Sequence, residues 1–139
     1  MAAPLNITVS EEQGQVPITV FHVAGDIDGS SYETLRTEAA SAYEAGMRYL
    51  LLDLAKVKYM SSAGLRALHN IFDMLNADIS AEEQKKVARG ILDGSYKSPY
   101  LKLLNPTRDV QRTLSTAGFD MFLEIHNKAK AAINSFTQP

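Results

Sequence analysis

The chain has 139 residues, a net charge of -2, no cysteine, 45% hydrophobic residues and 22% charged residues. That is enough for one hydrophobic core; it excludes a disulfide framework or thiolate metal site and leaves no basic footprint for direct nucleic-acid binding. There is no run of eighteen apolar residues and no basic start leading into an apolar signal segment, so no membrane span is expected and a reducing, cytoplasmic setting is.

In chain order, residues 6–9 and 16–24 read as an antiparallel strand pair joined by a polar turn at 10–15, whose Gly14 suits a positive φ. Gly25-Asp26-Ile27-Asp28-Gly29 follows. If the strand continues that far its two acids point the same way; otherwise they are solvated turn residues. Ser30 and Glu33 have capping-box spacing ahead of a helix carrying Leu35, Ala39, Ala42 and Tyr43, which Gly46 closes. The nearly continuous apolar run 49–54 reads as a strand buried on both faces. After Met60, Leu65, Leu68, Phe72 and Leu75 recur at helical spacing, with Ser61 or Ser62 supplying the cap.

Within residues 76–99, Ser80-Ala81-Glu82-Glu83 is a second capping signal, and Glu82, Glu83, Lys85, Lys86 and Arg89 suggest a short charged helix. This segment reads either as a solvated surface excursion or as a partner-specific or dimer-forming element; the oligomeric state stays open. A strand at 101–104, a helix through Val110 and Leu114, a strand over 119–125 and a helix from about Asn127 complete the chain. That last helix places Ala129, Ala132, Ile133 and Phe136 on one face, and the residues after Phe136 are expected to fray. Strands that follow helices lie parallel through right-handed crossovers. The expected fold is therefore α/β, a mixed sheet of about five strands with helices packed mainly on one side.

The chemistry concentrates at Met60-Ser61-Ser62-Ala63-Gly64-Leu65-Arg66, where a strand turns into a helix that opens on serines. Unpaired amides and a partial positive charge of about half an electron make such an end a place for a phosphate. The alternative reading of these serines is helix capping alone. A nucleophile elbow is only half present, with Gly64 two residues after Ser62 but Met60 two residues before it. A serine hydrolase would need His22, His69 or His126 brought to Ser62 and oriented by a carboxylate, so it stands as a remote alternative. No metal-ligand spacing occurs, and no catalytic residue or cofactor is assigned; the chain reads as a non-enzyme.

Residues 16–75 resemble the STAS domain of anti-sigma factor antagonists, in which a strand ends in a sequence like D-S-[ST]-G-L and a serine or threonine is phosphorylated by a partner kinase. The resemblance rests on Gly25-Asp26-Ile27-Asp28, similar to the family's G-x-[LIF]-D signature, and on Met60 to Leu65, with Ser62 at the phosphoacceptor position. Asn105-Pro106 and the series Val110, Leu114, Gly118 follow in the family's order. Two departures stand out: Ser61 replaces the acid before the phosphoacceptor, and Arg66 replaces a glycine that often follows Gly-Leu.

The resemblance implies one STAS domain over 1–139, with a family-atypical insertion at about 76–99. It implies a phosphorylation-controlled switch that binds an anti-sigma factor with serine kinase activity, regulates sigma factor availability and is reset by a phosphoserine phosphatase. Asp26, Asp28, Ser61, Ser62, Gly64 and Arg66 would form the partner surface. The alternative is a constitutive, unphosphorylated STAS interaction or scaffold module, such as one that regulates a membrane transporter.

Overall fold

A computed structural model describes residues 4–139. Five strands form one sheet: β1 (Asn6–Gln13), β2 (Pro17–Ala24), β3 (Leu50–Lys56), β4 (Leu101–Leu104) and β5 (Ile125–His126). They lie in chain order across the sheet, β1 antiparallel to β2 and every later pair parallel. The helices are α1 (Tyr32–Glu44), α2 (Ser62–Leu75), α3 (Ala81–Asp93), α4 (Arg108–Thr116) and α5 (Ala129–Ser135). The α/β mixed sheet expected from the sequence is the fold observed.

The period of two along the strands divides the core. Phe21 and Val23 of β2, Leu50, Leu52 and Leu54 of β3, and Leu101 and Leu103 of β4 face a large cluster with Leu35 and Ala39 of α1, Leu68 and Ile71 of α2, and Val110 and Leu114 of α4. The alternate positions Ile18, Val20, Leu51 and Leu104 meet Ala132 and Phe136 of α5 on the other face. Lys102 is buried there too, its ammonium donating to Glu124 Oε2 at 3.2 Å and to the Ser135 carbonyl at 3.0 Å. These partners compensate a charge that burial would otherwise make costly.

Four sequence expectations change. The polar stretch 10–13 belongs to β1, because Ser10, Glu11, Glu12 and Gln13 all pair with β2, and the turn shrinks to residues 14–16. Gly14 is not in the left-handed region; a Cβ there would sit 2.8 Å from the Ile133 carbonyl, so α5 requires the absent side chain. The capping box at Ser30 and Glu33 does not form: α1 starts after Ser31, whose hydroxyl makes no cap bond, and Glu33 pairs with Arg36 at 3.0 Å. Within 119–125 only Ile125 is strand. Residues Phe119–Met121 form a single 3₁₀ turn that brings Phe119 and Phe122 against each other at 5.3 Å between centroids and Phe122 onto Phe72 at 5.0 Å.

The charged helix at 81–93 does form. Ser80 Oγ accepts from the Glu83 amide at 3.1 Å, and Gly94 ends the helix at φ 81°. Its Val87 and Ile91 lean on the main core.

Leu52 sits fully buried in the central strand. Leu52→Ala is expected to lower the unfolding free energy by about 3 kcal/mol, combining lost transfer energy with the cavity left behind. A urea titration of the two proteins measures it.

Candidate functional site

The site is assembled by two loops that leave the C-terminal ends of adjacent parallel strands, where α/β folds commonly place their functional groups. Register between β2 and β3 shifts after His22, and the two chains then stay in contact through backbone bonds. Gly25 N–H donates to the Lys56 carbonyl at 3.1 Å, Ile27 N–H to the Tyr59 carbonyl at 3.0 Å, and Ser61 N–H to the Ile27 carbonyl at 2.9 Å. Ile27 and Met60 thus form an isolated parallel bridge, and both side chains are buried. The two acids that flank Ile27 therefore point away from the core, beside the serines. From the far side, Thr107 at the start of α4 donates its hydroxyl to the Val57 carbonyl at 2.9 Å.

Ser61 and Ser62 then separate in role. Ser61 is the N-cap: its backbone is extended and its Oγ accepts from the Ala63 amide at 3.1 Å. Ser62 is the first helical residue and is exposed, and among the described residues its hydroxyl has no hydrogen-bond partner. Arg66, also exposed, lies four residues further on and so one turn along the same helix face. Gly64 is buried. A Cβ built on it would meet Met60 Cγ at 2.6 Å and the Ile27 carbonyl oxygen at 2.8 Å, so its contribution is to let α2 approach the bridge.

The acidic loop is internally braced. Asp28 Oδ1 accepts from the Ser30 hydroxyl at 2.7 Å and the Ser30 amide at 2.9 Å. These bonds to the ionised form, the Ser30 hydroxyl first, hold its carboxyl below the usual aspartate value. Ser31, buried, donates to the Asp26 carbonyl at 2.7 Å and accepts from the Asp28 amide at 3.0 Å. Asp26 remains exposed. The structure thus brings Asp26, Asp28, Ser61, Ser62 and Arg66 to one end of the sheet, around a buried Gly64.

Sequence reasoning passed over Ile27, Ser31, Thr107 and Tyr59, which is 53% exposed in the serine loop. Ile27 carried a legible signal, an apolar residue between two acids. The bonds of Ser31 within its own loop and the long-range bond of Thr107 carried none.

No histidine serves Ser62 among the described residues. His69 pairs with Asp73 at 3.2 Å and His126 with Glu124 at 2.9 Å, while His22 lies on the sheet. Nor is there a group of three acidic or histidine side chains able to hold a metal ion among the described residues.

A model of the STAS domain matches residues 9–80, just over half of the chain. No curated protein matches. Among solved structures, an anti-sigma factor antagonist from Mycobacterium paratuberculosis is similar at a TM-score of 0.69 and 17% identity, over 98% of either chain. The anti-sigma factor antagonist SpoIIAA in its unphosphorylated form gives 0.66 at 14% identity, over 93% of this chain and 94% of that one. The phosphorylated form of the Bacillus cell fate determinant SpoIIAA gives 0.60 at 15%, over 93% and 97%. At these identities the likeness is one of fold.

The division of labour among the three small residues predicts three different costs in stability. Ser61→Ala is expected to lose about 1 kcal/mol through the missing cap, and Gly64→Ala about 1–3 kcal/mol through overpacking. Ser62→Ala should stay within about 0.5 kcal/mol, as an exposed substitution without partners. Urea unfolding of the three variants tests the ranking.

Proposed function

Since the chain belongs to the STAS domain family, we propose that it is an anti-sigma factor antagonist whose binding is switched by phosphorylation of Ser62. The observation that carries this reading is an exposed, unpartnered Ser62 hydroxyl on the first residue of α2, beside a loop held in place by backbone hydrogen bonds. The partner is an anti-sigma factor with serine kinase activity; binding it regulates how much sigma factor is free. A phosphoserine phosphatase restores the binding form. This places the protein's work in the cytoplasm, and among the described residues no helix is long and apolar enough to cross a membrane.

In this mechanism the unmodified end of the sheet docks on the partner through Asp26, Asp28, Ser61, Ser62 and Arg66, with Gly64 acting as spacer. Phosphate on Ser62 adds roughly -1.5 to -2 charges at neutral pH. The free amides at the start of α2 and the nearby Arg66 favour that charge within the domain, so the helix need not unwind. The same charge opposes docking wherever the partner presents acidic or apolar surface. The protein is then the substrate of the kinase, and the serine needs no base of its own.

Residues 1–139 constitute one domain in this reading, with 76–99 as a family-atypical insertion. It is supported by the extent of the family match, which ends at residue 80, where α3 is about to begin.

Co-purification with the partner, followed by phosphosite mapping, tests the switch. Ser62→Ala should keep partner binding and lose ATP-dependent phosphate incorporation, and Ser62→Asp should weaken binding. Phosphate on Ser61 or Thr34 instead would refute the assignment. Stable binding with no modification at all would favour a constitutive interaction module.

A further inference from the structure

The sheet face opposite α1 and α2 carries a second constellation of polar side chains. Ser10 of β1, His22 of β2 and Asp53 of β3 lie in a line across three adjacent strands. Ser10 Oγ is 3.0 Å from His22 Nε2, and His22 Nδ1 is 2.9 Å from Asp53 Oδ2. The register produces this line. Asp53 is the parallel partner of His22, and Ser10 pairs with Val20, which puts it on the diagonal from His22 on the same face.

Asp53 is itself oriented, because its Oδ1 accepts from the Ala55 amide at 3.1 Å. A carboxylate facing Nδ1 accepts, so in the neutral imidazole the proton sits on Nδ1 and Nε2 is left to accept from the Ser10 hydroxyl. This is the orientation in which a histidine acts as general base toward a serine. The His22 side chain is 45% exposed and that of Asp53 23%, so a reagent reaches them. Alongside lies an open concavity of about 300 Å³ whose lining includes Ser10, Glu12, His22, Asp53, Asn105 and Ile133. Leu104 and Ile133 give it an apolar wall. The Asn105 side-chain amide, on a residue held at φ 51°, has no hydrogen-bond partner among the described residues.

We propose that Ser10, His22 and Asp53 form a nucleophilic centre that accepts acyl groups from short-chain carboxylic esters, an activity separate from the Ser62 switch. Ser10 Oγ attacks the ester carbonyl carbon while its proton passes to His22 Nε2. The bond from that carbon to the alcohol oxygen breaks, and the departing alcohol takes the proton from His22. Water then attacks the acyl-serine by the same route, releasing the carboxylic acid and restoring Ser10. Ser10 and His22 are the catalytic residues, and Asp53 is a positioning residue that fixes the tautomer. The Asn105 amide is the donor available to the developing oxyanion.

The test is covalent labelling of the intact protein with a fluorophosphonate probe, followed by peptide mapping, with p-nitrophenyl acetate hydrolysis measured in parallel. A single adduct on Ser10 is expected. Ser10→Ala should abolish labelling, and His22→Ala should slow it by about 10²-fold or more. Asp53→Asn should do likewise while its circular dichroism and urea midpoint stay close to those of the parent protein, because an amide facing Nδ1 imposes the wrong tautomer. Absence of an adduct on the unmutated protein overturns the proposal without reference to any variant. So does an adduct on another residue, or unchanged labelling of Ser10 in Asp53→Asn.

Discussion

The bridge between Ile27 and Met60 is the constraint on which the functional end of the molecule depends. It is a short parallel pairing beyond the ends of β2 and β3, made by backbone groups and covered by two buried side chains. Because backbone bonds define it, the two loops are held at one separation whatever their exposed side chains are. Gly64 extends the constraint into α2, since only a residue without a Cβ lets the helix begin against the Ile27 carbonyl. Thr107 closes it from the α4 side. A hydroxyl presented on so fixed a support can be modified without the loops having to rearrange, as the proposed switch at Ser62 requires.

The two faces of the sheet serve different ends. Beneath α1, α2 and α4, apolar side chains of β2, β3 and β4 supply most of the core. On the other face α5 covers only the lower part, through Ala132 and Phe136, and leaves the strip of Ser10, His22 and Asp53 open beyond it. The seven-residue α5 is anchored by more than apolar contact. Lys102 rises from β4 to its Ser135 carbonyl, with the ammonium 4.9 Å from the Phe136 ring centre. A buried lysine thereby becomes the tie between the helix and the sheet.

Much of this was legible in one chain. The apolar run 49–54 has a strand's composition and lies buried as expected, and Ser80 caps α3 as its capping signal indicates. Asp26 and Asp28 read either as the end of a strand or as a turn, and the structure contains both: Ile27 bridges Met60, while the Asp28 carbonyl accepts from the Ser31 and Tyr32 amides in a turn. The failures have separate physical causes. Ser30 and Glu33 have capping-box spacing, but Asp28 is two residues away and its carboxylate takes the Ser30 hydroxyl. Residues 10–13 look like a turn because they are polar, yet β1 is an edge strand with a solvated face, where polar side chains are ordinary.

What the sequence determined by itself are properties set by neighbours along the chain: the α/β pattern, the Ser80 cap of α3, the serine pair at a strand-to-helix turn, and a family resemblance carried by short motifs. The tertiary structure decided everything that requires two distant segments to meet. It set the Ser61 amide against the Ile27 carbonyl, tied the Val57 carbonyl to Thr107, and gave His22 to Ser10 and Asp53 in place of Ser62. The physical reason is that hydrogen-bond partners and close approaches depend on strand register and loop packing. A shift of one residue would turn Ser10, His22 or Asp53 to the opposite face, and no local pattern records that choice.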